Sequence, residues 1–165
     1  MPDASCRIET LIRTLALAPH PEGGFYREVF RSPHRVAPAD GRPVRQALTA
    51  IYFLLAAGQH SRWHCVASDE TWTHLAGDPL ELFCFDVVRS HASRVRLGAI
   101  AGQETTPLHA VPAGHWQAAR PQGSYALVAC HVGPGFTFDD FQMAGNDAAV
   151  AVAIRAQGEE YRSLL

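Results

Sequence analysis

The stretch that decides the fold runs from Gly58 to Gly77 and reads GQHSRWHCVASDETWTHLAG; it holds three of the nine histidines and two of the three tryptophans. Side chains at every second position of a β-strand point to the same face. The ionisable and aromatic residues of this stretch therefore share two strand faces, His64 with Val66 and then Glu70 with Trp72 and His74. Neighbouring strands with such side chains on one face are typical of a pocket lining.

The spacing of this stretch resembles the first motif of the cupin superfamily, G-x5-H-x-H-x3-E-x6-G. Gly58, His64, Glu70 and Gly77 stand at the motif positions, and Val66 replaces the second histidine. Several fixed positions at the right intervals seldom coincide by chance, so the resemblance implies a cupin fold.

Other segments resemble the same superfamily. Pro112 to Gln117 partly matches the second motif, P-x-G-x2-H, with Gln117 in place of the histidine. The segments His20–Glu28, Gly77–Leu80 and Pro134–Phe141 resemble a single-domain cupin branch of unknown function. The resemblance spans roughly residues 10 to 145. It implies a fold rather than a reaction, because one fold serves many functions.

Composition narrows the function classes. The net charge of −2 and the pI of about 6.5 carry no signature of nucleic-acid or membrane binding. The sequence contains no lysine, which excludes Schiff-base chemistry and pyridoxal phosphate bound through an internal lysine.

No apolar stretch reaches the roughly 20 residues of a membrane span. The N-terminal segment does not resemble a signal peptide. We therefore expect a soluble cytoplasmic protein.

The four cysteines are predicted to be buried free thiols. Cys6, Cys65, Cys84 and Cys130 form no C-x-x-C pair, and each has apolar or strand-like neighbours. Such surroundings favour reduced, buried side chains over a disulfide or a zinc knuckle.

The pattern along the chain predicts a single domain over residues 1–165. Apolar residues at helical spacing predict one helix over about residues 5–17. From about residue 23 to 144, short apolar or alternating segments separated by Gly and Pro predict eight or more strands. Residues 33–45 are expected to form an exposed loop, and Phe136–Met143 the last strand. Residues 145–165 are a C-terminal extension with a short helix. The fold class is therefore all-β, a double-sheet jelly-roll barrel with terminal helices, which agrees with the cupin-type double-stranded β-helix that the resemblance implies.

Glu28 is a candidate acid–base residue. Alternation on its strand places Tyr26, Glu28 and Phe30 on one face. If that face points inward, two aromatic neighbours would leave the carboxyl poorly solvated, and burial raises a carboxyl pKa. The alternative is a surface glutamate paired with an arginine.

A divalent metal ion is one alternative that the resemblance implies. Cupins with the full motif set are expected to bind the ion through three histidines and a glutamate. The matching positions here are His64, Val66, Glu70 and Gln117. Valine cannot ligate, and glutamine is a weak ligand. The metal-dependent alternative therefore uses His64, Glu70 and Gln117 to bind zinc, iron, nickel or manganese. The residues that could substitute as ligands are His74, His60, His115 and His131.

Acid–base chemistry without a metal is the first hypothesis, and no cofactor is expected under it. Histidine titrates near neutral pH, so His64 suits proton transfer next to a carbonyl, with Glu70 or Glu28 as its carboxylate partner and Tyr26 as the opposing acid. The chain is similar in fold to metal-free dTDP-sugar 3,5-epimerases, which use a histidine base and a tyrosine acid. That similarity implies a sugar-like or sugar-nucleotide-like ligand only by analogy of fold.

The resulting prediction is a cytoplasmic homodimer that binds a small polar molecule inside the barrel. The predicted catalytic residues are His64, Glu70, Glu28 and Tyr26, and Trp72, His74 and Gln117 are predicted to bind the ligand. Trp63 and Trp116 alternate away from the pocket and are assigned to packing. Two alternatives stay open: a metal-dependent isomerase or dioxygenase, and a binding or storage module without catalysis.

Overall fold

The computed structural model describes residues 4–100 and 104–165. Helix α1 (Ala4–Thr14) comes first. In these described ranges it is followed by thirteen strands, namely β1 (Ala18–Pro19), β2 (Phe25–Arg31), β3 (Arg35–Val36), β4 (Arg45–Gln46), β5 (Thr49–Ala56), β6 (Ser61–Val66), β7 (Asp69–Gly77), β8 (Leu80–Asp86), β9 (His91–Leu97), β10 (Leu108–Val111), β11 (Trp116–Pro121), β12 (Tyr125–Gly133) and β13 (Phe141–Met143). Helices α2 (Ala148–Arg155) and α3 (Glu159–Arg162) follow the last strand.

Most strands belong to two antiparallel sheets. One sheet has the order β1-β2-β5-β12-β7-β10, and the other has the order β13-β6-β11-β8-β9. Strands that are distant in the sequence are neighbours, since β12 lies between β5 and β7, and β11 lies between β6 and β8. This is a jelly-roll topology. The predicted all-β double-sheet fold with terminal helices is confirmed.

The main apolar core lies between the two sheets. Phe53 and Trp72 of the first sheet and Leu82 and Ala119 of the second belong to one buried cluster, and each is at most 1% exposed. Burying a large apolar side chain contributes about 1.5–3 kcal/mol to stability. The inward-facing residues of each strand therefore hold the sheets together.

The helices cover the outer faces of the sheets. Leu11 of α1 packs on Leu54 and Leu127, which point outward from the first sheet. Val150 and Ile154 of α2 belong to a second cluster with Trp63, Phe83 and Trp116 on the other sheet. The packing role predicted for Trp63 and Trp116 agrees with this cluster. Within the described residues no helix is long and apolar enough to cross a membrane.

A β-bulge in β6 changes which way its side chains point. Ser61 opposes Ala119 and His64 opposes Gln117, so two residues of β6 stand against one residue of β11 between these pairs. The extra residue interrupts the alternation, and Ser61 reaches the same inner face as His64.

A second bulge corrects a prediction for β2. The register shifts between Glu28 and Phe30, which oppose the neighbouring residues Ile51 and Ala50. Arg31 then lines the interior, while Phe30 is 47% exposed. The prediction that Phe30 shares a face with Tyr26 and Glu28 is therefore wrong, because alternation fails at a bulge.

Three local predictions also need correction. The predicted exposed loop of residues 33–45 contains the β3–β4 pair, and its last residue, Arg45, is buried. The segment Phe136–Met143 is a strand only from Phe141, because Phe138–Asp140 forms a 3-10 turn. The four cysteines are free, but Cys6 is exposed, since α1 packs through Leu11 instead.

Candidate functional site

A cavity of about 360 Å³ lies between the sheets. It is lined by β2, β5, β6, β7 and β12 and by the segment 136–141. Its aromatic residues are Tyr26, Phe53, Trp72, Phe136, Phe138 and Phe141, and its charged or titratable residues include His20, Glu22, Glu28, Arg31, His64 and Glu70. A cavity of this size, mostly apolar with a few convergent polar groups, has the character of a small-molecule site.

Gln117 connects Trp72 to His64 and Glu70 at the inner end of the cavity. Trp72 Nε1 donates a hydrogen bond to Gln117 Oε1 at 3.0 Å. An indole nitrogen can only donate, so this bond fixes which end of the amide is oxygen. Gln117 Nε2 then donates to Glu70 Oε2 at 2.6 Å and lies 3.1 Å from His64 Nε2.

These contacts hold His64 as a neutral imidazole. Its Nδ1 lies 2.9 Å from the carbonyl oxygen of Arg62, which can only accept, so Nδ1 carries the hydrogen. Its Nε2 faces the Gln117 amide, which donates, so Nε2 presents its lone pair. The side chain is 2% exposed, and burial lowers the pKa of His64.

Glu22 reaches the same polar end from the turn before β2. Its Oε1 accepts a hydrogen bond from Ser61 Oγ at 2.8 Å. Its Oε2 lies 3.3 Å from His64 Nε2 and 3.5 Å from His20 Nδ1. His20 Nδ1 accepts the backbone N–H of Glu22 at 3.3 Å, so it too presents a lone pair. Glu22 Oε2 therefore lies beside two imidazole nitrogens that already accept hydrogens from Gln117 and from the Glu22 backbone.

Burial raises the pKa values of both carboxyls of this cluster, Glu22 and Glu70. It raises the pKa of Glu22 to about 8, against the opposing effects of the Ser61 hydrogen bond and Arg62. It raises the pKa of Glu70 to about 7, against the effects of His64 and the Gln117 hydrogen bond. Burial also lowers the pKa of His20 to about 4. Both carboxyls therefore hold their protons to a higher pH than an exposed glutamate does.

The Glu28–Arg31 pair lies along another part of the lining. Arg31 donates two hydrogen bonds to the Glu28 carboxylate, at 2.8 and 2.7 Å, and two more to the carbonyl oxygen of Phe136. The two side chains are 36% and 37% exposed. The burial expected for Glu28 is therefore wrong, and the alternative of an arginine-paired glutamate describes it.

Residues 136–141 form an aromatic strap along the cavity. The rings of Phe136, Phe138 and Phe141 lie 5.1–6.1 Å apart with interplanar angles of 75–79°. Asp140 in the strap forms ion pairs with Arg42, at 2.9 Å, and with Arg45. These contacts attach the strap to the loop before β5.

The structure separates the predicted site residues into three groups. His64, Glu70, Tyr26, Trp72 and Glu28 line the cavity. Gln117 lies behind them and is connected through its hydrogen bonds. His74 is not part of the lining, and its Nε2 lies 3.1 Å from the carbonyl oxygen of Asp78.

Sequence reasoning missed Glu22 and His20 as site residues and used them only in the resemblance of His20–Glu28 to a cupin branch. The missed signal is the glycine that follows Glu22. Gly23 has a φ of +116°, and a Cβ there would lie 2.2 Å from the carbonyl oxygen of His60. Only glycine lets this turn approach β6 so closely, and the approach carries Glu22 to His64.

The donor set does not fit the metal site of a full-motif cupin. Within residues 4–100 and 104–165, no three His, Cys, Asp or Glu side chains converge as ligands. Val66 has no donor atom, and Gln117 turns its nitrogen rather than its oxygen toward His64 and Glu70. The ligand role predicted for His64, Glu70 and Gln117 stays a prediction, and metal analysis is its test.

The jelly roll with its enclosed polar cluster defines a cupin-type protein. Residues 9–144 match the family model described as Cupin superfamily (DUF985), and the chain belongs to this family. No curated protein is significantly similar to the chain in sequence.

Solved structures agree with this assignment. A hypothetical protein from Leishmania major is 35% identical, with a TM-score of 0.81 over 94% of this chain and 96% of that one. A protein from Shewanella oneidensis is 31% identical, with a TM-score of 0.80 over 95% of each chain. A cupin 2 conserved barrel domain protein from Rhodopseudomonas palustris, 14% identical with a TM-score of 0.58 over 90% and 84%, shares the fold alone.

Proposed function

We propose that the chain is a cupin enzyme that binds a small molecule in the cavity and transfers protons through its own carboxyl groups. The observation that carries the proposal is the buried Glu22 carboxyl, whose Oε2 lies 3.3 Å from His64 Nε2 and 3.5 Å from His20 Nδ1 and whose pKa burial raises to about 8. A carboxyl kept protonated near neutral pH is a general acid ready for use.

Glu70 is the matching base in this proposal. Its Oε2 accepts the Gln117 amide hydrogen, which stabilises the charged carboxylate. Glu22 would donate a proton to an oxygen of the ligand while Glu70 removes a proton from the adjacent carbon. Glu70 then gives its proton to the neighbouring carbon while the ionised Glu22 takes the proton from the hydroxyl that becomes the new carbonyl, which completes an isomerisation. His64 is a positioning residue here rather than the acid–base group that the sequence suggested.

The ligand is a small ring-sized molecule. The cavity of about 360 Å³ lies near the lower end of the usual range for ligand sites, about 300–1,000 Å³. Aromatic walls suit a sugar or another ring that stacks on them. Among the described lining residues, Arg31 supplies the guanidinium, and Glu28 already binds it. That pairing favours a ligand without the diphosphate of a sugar nucleotide.

Proton exchange into deuterated solvent tests the reaction even when the product is unidentified. Small hydroxyketones, sugars and amino sugars would be incubated with the protein in D₂O, and loss of carbon-bound ¹H followed by NMR. Glu22→Gln and Glu70→Gln should each slow the exchange by about 10²–10⁴-fold, the usual contribution of one acid or base. Glu159→Gln, on the exposed side of α3, is the control and should leave the rate unchanged.

Metal analysis separates this proposal from the metal-dependent alternative. The untagged protein would be analysed for zinc, iron, nickel and manganese, and exchange repeated with a chelator. Near-stoichiometric metal and chelator-sensitive exchange would contradict the proposal. Ligand binding without exchange on any compound would favour a binding module. The predicted homodimer also stays a proposal, supported by the outer edges of β1, β10 and β13, beyond which the described residues add no further strand.

A further inference from the structure

His20 has a hydrogen-bond donor that no described residue uses. Its Nδ1 lies 3.3 Å from the backbone nitrogen of Glu22, which can only donate, so Nδ1 is the acceptor nitrogen of the ring. A neutral imidazole carries one N–H, and here that hydrogen is on Nε2. Burial lowers the pKa of His20 to about 4, so the ring is neutral near pH 7. His20 therefore presents its Nε2–H as a donor.

The Nε2–H of His20 faces the cavity. Both polar contacts of the side chain are made by Nδ1, one to the backbone of Glu22 and one to its Oε2. The side chain is only 6% exposed. Across the described ranges, no side-chain nitrogen or oxygen is both out of reach of water and without a partner. Nε2 therefore borders accessible space, and the space that His20 lines is the cavity.

Four aromatic rings hold the imidazole in this orientation. Three lie edge-to-face with it at 83–87° and centroid distances of 4.5–6.0 Å, and the fourth lies nearly parallel to it at 6.2 Å; they are Tyr26, Phe53, Phe141 and Phe138. An imidazole enclosed in this way cannot turn to find another acceptor. Because a donor in apolar surroundings is costly when it is unpaired, a ligand that brings an acceptor to Nε2 is favoured.

Nε2 and the Glu22 carboxyl address different atoms of a ligand. The nitrogen near Glu22 is Nδ1, at 3.5 Å from Oε2, whereas the N–H bond of Nε2 points out from its own side of the ring. An oxygen that accepts from Nε2 is therefore not the oxygen that Glu22 protonates in the proposed function. The two groups together require two oxygens at separate positions of one small molecule.

We propose that His20 determines specificity by donating its Nε2–H to a second oxygen of the ligand, away from the oxygen at Glu22. The ligand class is then a small dicarbonyl or hydroxycarbonyl compound, and an ammonium group at the second position would meet a donor instead of an acceptor. This inference rests on the cavity being the ligand site of the proposed function, but it does not require proton transfer. His20 itself moves no proton.

Two ring ketones test the inference. 1,4-Cyclohexanedione carries two acceptor oxygens, and cyclohexanone carries one. Their dissociation constants for the full chain would be measured by calorimetry and protein-observed NMR, and the ratio of the two compared between variants. His20→Phe keeps a ring among the aromatic side chains and removes the donor. The preference for the dione should fall by about three- to tenfold, the contribution of one hydrogen bond.

His20→Gln separates the loss of the donor from the loss of the imidazole. Its amide N–H can reach the position of Nε2, while the contact of Nδ1 with Glu22 is lost as in His20→Phe. This variant should keep most of the preference for the dione. His34→Phe is the matched control, because His34 is exposed and does not line the cavity. In the unmodified protein, ¹⁵N NMR should place the hydrogen of His20 on Nε2, and the dione should shift that signal.

An unchanged preference in His20→Phe, an equal loss in His20→Gln, a hydrogen on Nδ1 in the free protein, or no binding of the dione would each overturn the inference. The proposed function fails separately. A dione preference that depends on His20, without solvent exchange on any compound, would keep the role of His20 and reject the proton transfer. Exchange with the same KM in the unmodified protein and in His20→Phe would do the reverse.

Discussion

Trp63 and Trp72 come from the same stretch of sequence and are equally buried, at 1% exposure each, but they belong to different kinds of structure. Trp72 Nε1 donates to the side chain of Gln117 and so orients the polar cluster of the cavity. Trp63 Nε1 donates at 2.8 Å to the backbone oxygen of Tyr161, whose ring stacks on it. Residue type and burial therefore do not distinguish a site residue from a packing residue, whereas the hydrogen-bond partner does.

The surroundings of the two tryptophans differ in the same way. Around Trp63, the C-terminal helices fill the outer face of the second sheet with side chains such as Ile154 and Leu164. Beside Trp72 the space between the sheets stays partly open, and the aromatic strap borders it. The outer face around Trp63, which we call the filled side, should contribute stability. The cavity beside Trp72, which we call the open side, should contribute ligand binding. Matched substitutions on the two sides test this division.

Truncation of the two tryptophans should give the largest difference in the free energy of unfolding between the two sides. Trp63→Ala removes a ring from a filled cluster and should lower the free energy of unfolding by about 3–5 kcal/mol. Trp72→Ala should cost less, because the new space joins an existing cavity that water can enter. Urea denaturation followed by circular dichroism measures both, and an equal or larger loss at Trp72 would contradict the division.

Disruption of two ion-pair networks, one on each side, should give the next largest difference in the free energy of unfolding. Asp140→Asn leaves Arg45, whose side chain is 6% exposed, without its carboxylate, and leaves Arg42 with that of Asp40 alone. We expect a loss of about 3 kcal/mol, as for a broken buried pair. We also expect faster amide hydrogen exchange in the strap, residues 136–141.

Glu81→Gln is the matched change on the filled side. Its partners Arg94 and Arg120 are 43% and 33% exposed, so water already screens these pairs. We expect a loss of no more than about 1 kcal/mol. A similar loss in both variants would show that the strap does not depend on its charged attachment.

The pH dependence of stability should come from the open side. Glu22 and Glu70 have pKa values raised from 4.5 to about 8 and about 7, so the folded state holds protons that the unfolded state has released. Stability therefore falls as pH rises through this range. Below pH 6.5 the lowered pKa values of His20 and His64 oppose the fall, because only the unfolded state gains their protons. The fall should appear most clearly between about pH 6.5 and 8.

Glu22→Gln tests the origin of this fall. The groups that face Glu22 are His20, Ser61, His64, Arg62 and Glu70. One proton gives a slope of at most about 1.4 kcal/mol per pH unit. The variant should flatten the curve by about 1 kcal/mol between pH 7 and 8, and Glu159→Gln should not. An unchanged slope in Glu22→Gln would mean that Glu22 is already ionised in the folded protein.

The smallest predicted change in stability comes with a change at the site in only one of two variants. Trp72→Phe and Trp63→Phe each remove one hydrogen bond, and each should cost about 1 kcal/mol. Only Trp72→Phe frees the Gln117 amide to turn, so only that variant should change the ¹⁵N shifts and tautomer of the His64 ring. A change of the His64 signals in Trp63→Phe would mean that the two regions are coupled.

Much of the candidate site could be predicted because its residues follow regular alternation. His64 and Gln117 are directly opposite each other on β6 and β11, and Glu70 and Trp72 share the inner face of β7. His74, on the same strand, was predicted to bind the ligand, but it does not line the cavity. Its Nε2 instead lies 3.1 Å from the carbonyl oxygen of Asp78. Alternation predicts a face, but it does not predict how far along the barrel the cavity extends.

The jelly roll and the terminal helices could be predicted from the sequence because they depend on local periodicity and turn residues, and the cupin motif spacing added the positions of His64, Glu70 and Gln117. Only the tertiary structure decided that Glu22 belongs to the site and that Ser61 turns toward it. A close approach between Gly23 and β6 brings the first contact, and a bulge in β6 brings the second. Both depend on how distant segments pack, and neither leaves a periodic signal in the sequence.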